Sequence, residues 1–465
     1  MIIRRVEISK LVGMRYDVSF YQERFDYSSQ IYPTYELGDI LYINPSVTFS
    51  ELTDNDVISY VPMEAIDERY GIISLAKNIT VANTKGYTKF KEGDLLWAKI
   101  TPCMQNGKSA IAQNLLKGVG CGSTEFFVLR PKSCNVLIKY IHFILRDYRV
   151  LKSAQNSFGG SAGQQRVSSS YLKTIRIPLP PIEIQQKLVD IYTAAQNAKS
   201  QKDKEAKELL ESIDNIVTQH LGIKLPERSD FSETKYFTPI SKLIGQRYDP
   251  YFHNPYFERA FAELAQSKYP LKKLGDISIL ITSGITPKAG GDAYTDSQNG
   301  IAFIRSGDID INGNINFEEL LYIKPEVHNK QMKSSKVYDN DIMIAIVGAT
   351  IGQVGIYHSE KEANINQAIA LVRLKDGYNP EYVKELIKSS IGQLNLDRLK
   401  RPVARANINL EEIASILIPI PEKIEVQTAI AKEIHEIRVK ADVIKNEGSL
   451  IIDKAKATIE KMILG

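Results

Sequence analysis

Six polar loops of this 465-residue chain hold the side chains whose types could do chemistry. In the first half, TPCMQNGKS (101–109) presents Gln105, Asn106 and Lys108, and SFGGSAGQQRVSSS (157–170) presents Gln164, Gln165 and Arg166. In the second half, ITSGITPKAGG (281–291) carries Lys288, IRSGD (304–308) carries Arg305, GATIGQVG (348–355) carries Thr350 and Gln353, and RPVARANIN (401–409) carries Arg401 and Arg405. Gln and Asn can bind adenine through two hydrogen bonds, Arg and Lys favour guanine, and hydroxyls and backbone amides hold phosphates. Glycines between these residues let backbone approach a groove wall. The grouping of such loops in both halves predicts two DNA-reading surfaces. A net charge of +4 is too small to argue for nucleic acid by itself, but Arg398, Lys400, Arg401 and Arg405 lie in RLKRPVAR with no acid among them.

Catalytic and cofactor patterns are missing. Gly107-Lys108-Ser109 has the end of a phosphate-binding loop, yet Pro102 stands where its first glycine belongs. GVGCGS (118–123) is not a dinucleotide fingerprint. Asn254-Pro255-Tyr256-Phe257 lacks the second proline of the Asn-Pro-Pro-aromatic element that amino-methyltransferases use to hold a flipped base, and reads as a turn. The six histidines and three cysteines show no metal-ligand spacing. The expectation is a chain with no catalytic residue, metal or cofactor of its own. No apolar run is long enough for a membrane span and no signal sequence is recognisable, so a cytoplasmic location is expected.

Two long elements must position these loops. Residues 175–222 and 416–465 each begin with an apolar run carrying Pro-x-Pro (Pro178 and Pro180; Pro419 and Pro421) and continue as a helix-patterned segment of about 40 residues, roughly 60 Å at 1.5 Å per residue. Steps of 3 and 4 place Leu188, Ile191, Leu209, Ile213 and Ile216 on one seam and Ile430, Ile437, Ile444, Ile451 and Ile459 on the other. Lys202 interrupts the first seam, and His220 lies at its end. A lone helix would leave its seam wet, so the two are expected to pair as an antiparallel coiled coil.

The chain also repeats itself. LVGMRYDVSFY at 11–21 returns as LIGQRYDPYFH at 243–253, an offset of 243 − 11 = 232, and Ile177-Pro178-Leu179-Pro180 returns as Ile418-Pro419-Ile420-Pro421, an offset of 418 − 177 = 241. Each repeated Arg-Tyr-Asp reads as a structural salt bridge or a domain joint. The fold class is α+β, with globular domains at 1–180 and 243–421, long helices at 181–222 and 422–465, and a polar connector at 223–242. Helix is expected near 136–155 and 380–399.

The chain resembles the DNA-specificity subunits of Type I restriction-modification systems. The resemblance rests on the IPLPP and IPIPE helix starts followed by Gln185 and Gln427, on GDLLWAKITP, STEFFVLRP and SSSYLKTIRIPLPP in the first half, and on GITPKAGG, IAFIRSGDI and NDIMIAIVGATIGQVGI in the second. It implies two target-recognition domains that each read half of a split double-stranded DNA site, with the helix pair setting the spacer. It implies as partners two methyltransferase subunits, docked along the helices and using S-adenosylmethionine, and restriction subunits using ATP and Mg. Glu422 replaces the Pro181 of the first copy, which bears on where the second helix starts. Other readings are the specificity chain of a related Type II assembly, a coiled-coil protein scaffold and a stand-alone methyltransferase or nuclease, the last disfavoured by the missing motifs.

Overall fold

The computed structural model describes residues 29–158, 165–227, 235–244, 247–287, 292–310, 312–401 and 406–465. The chain divides into two compact units, one of residues up to Asp203 together with Lys445–Gly465, the other of Lys204–Ile444.

In the first unit, one sheet runs Lys77–Thr80, Val57–Val61, Val119–Gly122, Thr88–Lys91, and a second runs Leu41–Ile43, Phe126–Pro131, Leu95–Ala98, Ser109–Ile111. The second unit has the counterpart of each. Ser278–Ser283, Ile369–Leu374, Ile342–Ala345 and Val354–Ile356 form one sheet, and Tyr294–Thr295, Leu321–Ile323, Ile301–Ile304, Ala363–Ile365 and Lys336–Val337 form the other. Each copy has one parallel pair, Val57–Val61 with Val119–Gly122 and Ile301–Ile304 with Ala363–Ile365. The duplication thus persists in topology where the sequences have diverged.

Buried polar clamps repeat as well. Asp94, 1% exposed, accepts from Arg130 Nε and Nη2, both at 2.7 Å, and from Lys91 N at 2.8 Å. Asp341, also 1% exposed, accepts from Arg373 Nε at 2.8 Å and Nη2 at 2.6 Å, and from Tyr338 N at 2.8 Å. Each aspartate follows a residue with positive φ, Gly93 or Asn340, that turns the chain into the central strand. The tetrapeptide Leu-Gly-Asp-Ile also recurs, at 37–40 and 274–277, burying its Leu and Ile in both places. At its glycine a Cβ would lie 3.1 Å from Lys173 Cβ in one copy and 3.1 Å from Ala414 Cβ in the other.

The helical regions near 136–155 and 380–399 are each two helices rather than one. Ile138–Leu145 is followed by Tyr148–Gln155, and Pro380–Lys388 by Ser390–Leu399. The first break comes where the Asp147 carboxylate caps Arg149 N at 2.8 Å, a local bond that competes with helix continuation. Asn254-Pro255 is no turn but a helix start. Asn254 Oδ1 accepts Tyr256 N at 2.9 Å, and the proline occupies a position that needs no donor. Arg247 binds Asp249 at 2.8 Å and Leu399 O at 2.6 Å, the salt bridge expected of the second Arg-Tyr-Asp. Its first copy lies outside the described residues.

Both long helices begin in the same way. The strand Arg176–Pro178 pairs with Thr34–Glu36, and Leu417–Pro419 pairs with Leu271–Lys273, each antiparallel. Tyr140 OH then donates to Pro178 O at 2.8 Å and Tyr382 OH to Pro419 O at 3.0 Å. The helices are Ile182–Leu221 and Ile424–Leu464, so the second starts one residue later than the 241 offset requires. Gln185 is fully buried, accepts Leu137 N at 2.8 Å and donates to Asn135 O and Pro180 O, both at 2.8 Å. Gln427 accepts Asn379 N at 2.9 Å and donates to Pro421 O at 2.8 Å. Gln185→Ala strips three backbone groups of their partners at once. A loss of about 2 kcal/mol is expected, seen as a lower unfolding midpoint for the full chain; an unchanged midpoint would show that water takes the place of the amide.

The helices run antiparallel. In the first unit Leu188 and Val189 share a core with Ile459 and Ile463, and Ile184 and Ile191 pack against it. In the second unit Ile213, Val217 and Leu221 share a core with Ile430, Ala431 and Ile434, with Ile437 packed on it, and Ala206, Ala441 and Ile444 form a further cluster with Leu209. The seam is displaced from the expected positions near the end of the first helix. Val217 and Leu221 are buried, whereas Ile216 is half-buried and His220 reaches Glu433 at 2.8 Å. Ile451 is half-buried as well. A 3.6-residue turn drifts against a 3.5 repeat, and these helices pack on sheet-bearing cores as well as on each other, which broadens the apolar stripe. The polar interruption is accommodated by a glycine. A Cβ on Gly448 would lie 3.2 Å from Lys202 Cβ, and Lys202 Nζ binds Glu447 at 2.8 Å.

Candidate nucleic-acid interface

In the first unit the strand Leu95–Ala98 leads directly into the polar loops. Lys99 N donates to Glu125 O at 2.9 Å, Val167 N to Lys99 O at 2.9 Å and Thr101 N to Gln165 O at 3.0 Å, so the 101–109 loop and the segment from Gln165 are stitched into one edge. Gln105 and Asn106 are exposed there, and Lys108 is half-buried with Nζ 3.4 Å from Met63 O. Arg146 underpins this loop by donating to Gly107 O at 2.8 Å, Glu68 O at 2.7 Å and Arg69 O at 3.0 Å. Arg166 grips Glu125 with two bonds, at 2.9 and 2.8 Å, and this holds the Glu125 carboxyl below its ordinary value.

The second unit builds the same kind of edge. Ile346 N donates to Ala368 O at 2.9 Å, Ile408 N to Ile346 O at 3.0 Å and Gly348 N to Ala406 O at 3.1 Å. Asn366 N donates to Ile304 O at 3.0 Å, which joins the Arg305 loop to the same row. Thr350, Gln353, Arg305 and Arg401 therefore belong to one connected set of loops. Gln353 lies less open than expected, with Oε1 buried and without a hydrogen bond among the described residues. Thr286, which donates to Gln367 Oε1, was not legible as a member of this edge because its partner is 81 residues away. Gln164, Lys288 and Arg405 lie outside the described residues.

The basic run at 398–405 is not a free cationic patch over its described part. Arg401 binds Glu412 at 3.0 Å and Asn407 O at 2.9 Å, and Lys400 binds Asp397 at 2.8 Å. Arg398 lies between the rings of Phe252 and Phe261, 4.2 and 5.0 Å from their centroids. Arg305 pairs likewise with Asp308, at 2.7 and 3.0 Å. Asp397 and Glu412, which hold Lys400 and Arg401, lie outside the run 398–405, so the run alone overstates its free charge. Their guanidinium groups stay partly exposed, at 41% for Arg166, 41% for Arg305 and 35% for Arg401, so each fixes a loop and still presents N–H edges to solvent.

One pair among the described residues joins a hydroxyl to an imidazole. The buried Ser109 hydroxyl lies 3.1 Å from His142 Nε2, but desolvation, with Arg146 close by, brings the imidazole down to about 3, and among the described residues no carboxylate is hydrogen-bonded to it. Among the described residues no group of three or more His, Cys, Asp or Glu side chains could hold a metal, and no helix is long and apolar enough to cross a membrane.

A repeated frame that carries different polar loops on equivalent edges is the construction of a binding protein with two related sites. The family profile of the Type I restriction modification DNA specificity domain matches residues 32–211 and again 266–447, and the chain belongs to that family. It is 34% identical over 191 residues to the EcoAI type I restriction enzyme specificity subunit of Escherichia coli, covering 40% of this chain and 31% of that relative. To the EcoEI specificity subunit of Escherichia coli it is 38% identical over 159 residues, covering 34% and 26%. The chain thus matches less than a third of either relative's length. A chain solved in work on complex assembly and conformational transition of the type I R-M system shares the fold, with a TM-score of 0.52 at 15% identity over 94% of this chain and 98% of that one.

Proposed function

We propose that this protein is the DNA sequence-specificity subunit of a restriction-modification complex, without catalytic activity of its own, which recognises a bipartite duplex and directs partner subunits to it in the cytoplasm. The observation that carries the reading is the pairing of a repeated frame with unlike edges. The Asp94–Arg130 and Asp341–Arg373 clamps are the same in both copies, while the loops carry Gln105, Asn106 and Arg166 in one copy and Thr350, Gln353 and Arg401 in the other. A constant frame with variable readers suits two different half-sites. The chemistry belongs to the partners. Two methyltransferase subunits supply methyl transfer from S-adenosylmethionine to adenine, and restriction subunits supply ATP- and Mg-dependent cleavage. Adenine methylation mapped across the genome of cells that carry the cognate methyltransferase, with and without this chain, tests the assignment. A split motif that appears only with the chain is the expected result. Identical maps would reject the assignment in favour of a protein scaffold.

A further inference from the structure

Beside the stitched edge of the first unit lies a groove of about 240 Å³ whose polar lining is Asn44, Thr88, Lys89, Lys99 and Thr124. It is continuous with the loops already described, because Lys99 is the residue whose backbone joins Glu125 to Val167. Every polar group in its wall is a donor or can act as one. Lys89 Nζ lies 4.6 Å above the Phe49 ring and Lys99 Nζ 5.5 Å above the Phe127 ring. Among the described residues neither lysine forms an ion pair, and the hydroxyls of Thr88 and Thr124 make no hydrogen bond. Asn44 Oδ1 accepts Val128 N at 3.0 Å, which commits its oxygen and leaves the amide NH₂ as a donor. No carboxylate lines the groove. The nearest acid along the chain, Glu125, is bound by Arg166 and also feels the charge of Lys99.

The equivalent place in the second unit has lost this character. The isolated bridge of Ile100 with Arg166 corresponds to that of Val347 with Asn407, which puts Ile346 where Lys99 stands. Counting back from the amides that bind Asp94 and Asp341 puts Lys336 at the position of Lys89, and Lys336 is bound to Glu362 at 3.1 Å. Two groove lysines without an ion pair are therefore a property of one copy and not of the shared frame.

We propose that this groove seats the phosphodiester backbone of the duplex at the first half-site, with Lys89 and Lys99 on phosphate oxygens and Asn44, Thr88 and Thr124 donating beside them. The proposal rests on the DNA-specificity reading and adds to it the place where the DNA lies. Lysine acetylation of the full chain, assembled with its methyltransferase partner and analysed by mass spectrometry, tests it directly. The probes are a short duplex bearing the mapped motif and one of equal length without it. Acetylation of Lys89 and Lys99 is expected to be lost with the motif-bearing duplex. Protection of other lysines, with these two still reactive, overturns the groove and leaves the DNA reading standing, whereas no protection at any lysine overturns both. In a second measurement, the Lys89→Gln, Lys99→Gln double variant should lower the slope of log affinity against log salt by about 2, since each neutralised phosphate contributes roughly 0.9. An unchanged slope, in a variant with the parent's unfolding midpoint, also refutes the proposal.

Discussion

Asp94→Ala is expected to remove about 3 kcal/mol of stability from the first unit, and Asp341→Ala the same from the second. Each carboxylate is almost wholly out of water and satisfies two guanidinium N–H groups and one backbone N–H. Removing it leaves a cation across from an apolar methyl group and an amide without an acceptor. Arg130 and Arg373 are 21% and 26% exposed, so the stranded charge reaches some water, which places the loss toward the lower end of the range for broken buried pairs. The same carboxylates hold their guanidinium groups charged even more firmly than usual. Hydrogen exchange resolves the two units. In Asp94→Ala, protection should fall across Phe126–Pro131 and stay at the parent level across Ile369–Leu374, with the reverse pattern in Asp341→Ala. Adding Arg130→Met to Asp94→Ala should recover part of the loss, since it removes the unpaired charge. Unaltered protection in both single variants would mean that the clamps are replaceable by water.

These clamps also mark where the sequence stops being legible. The helix starts can be read because proline acts locally and an apolar seam declares its own period, so Pro178, Pro180 and the isoleucines of the second helix announce their roles. Gln185 and Gln427 stand out as repeated residues, but nothing along the chain says that their amides close the backbone at Leu137 and Asn379, 48 residues away in both cases. The loops were legible as polar, glycine-containing connections between apolar strands. Which of their cations are free was not, because Arg166 finds Glu125 at a separation of 41 residues and Arg401 finds Glu412 at 11. Lys89 and Lys99 were passed over for the opposite reason. Lys89 alternates with Thr88 and Phe90 in its strand and Lys99 follows the apolar strand Leu95–Ala98, positions at which a lysine reads as an ordinary exposed residue, and only the fold places them at one groove. Leu-Gly-Asp-Ile at 37–40 and 274–277 is a further marker of the duplication, present in the sequence but too short to stand out.

On the specificity function proposed above, a heptad inserted between Asp203 and Lys204, with a second between Ile444 and Lys445, should lengthen the spacer of the methylated motif by about three base pairs and leave both half-sites unchanged. These two points are the boundaries between the compact units, so the insertions leave Tyr70 OH on Asp203 at 2.7 Å and the Ala206, Ala441 and Ile444 cluster within their own units. Seven residues preserve the seam register, whereas an insertion of one would turn the following apolar stripe by about 100° and expose it. Seven residues also add about 10 Å of helix, and successive base pairs lie about 3.4 Å apart along the duplex. The measurement is the genome-wide map of methylated adenines, now compared between parent and insertion variant, with the unfolding midpoint as the check that the helix pair still forms. A motif with its original spacer, made by a folded variant, would mean that something other than the long helices fixes the separation of the half-sites. Movement of the spacer alone, with each half-site kept, would assign reading to the loops and distance to the helices.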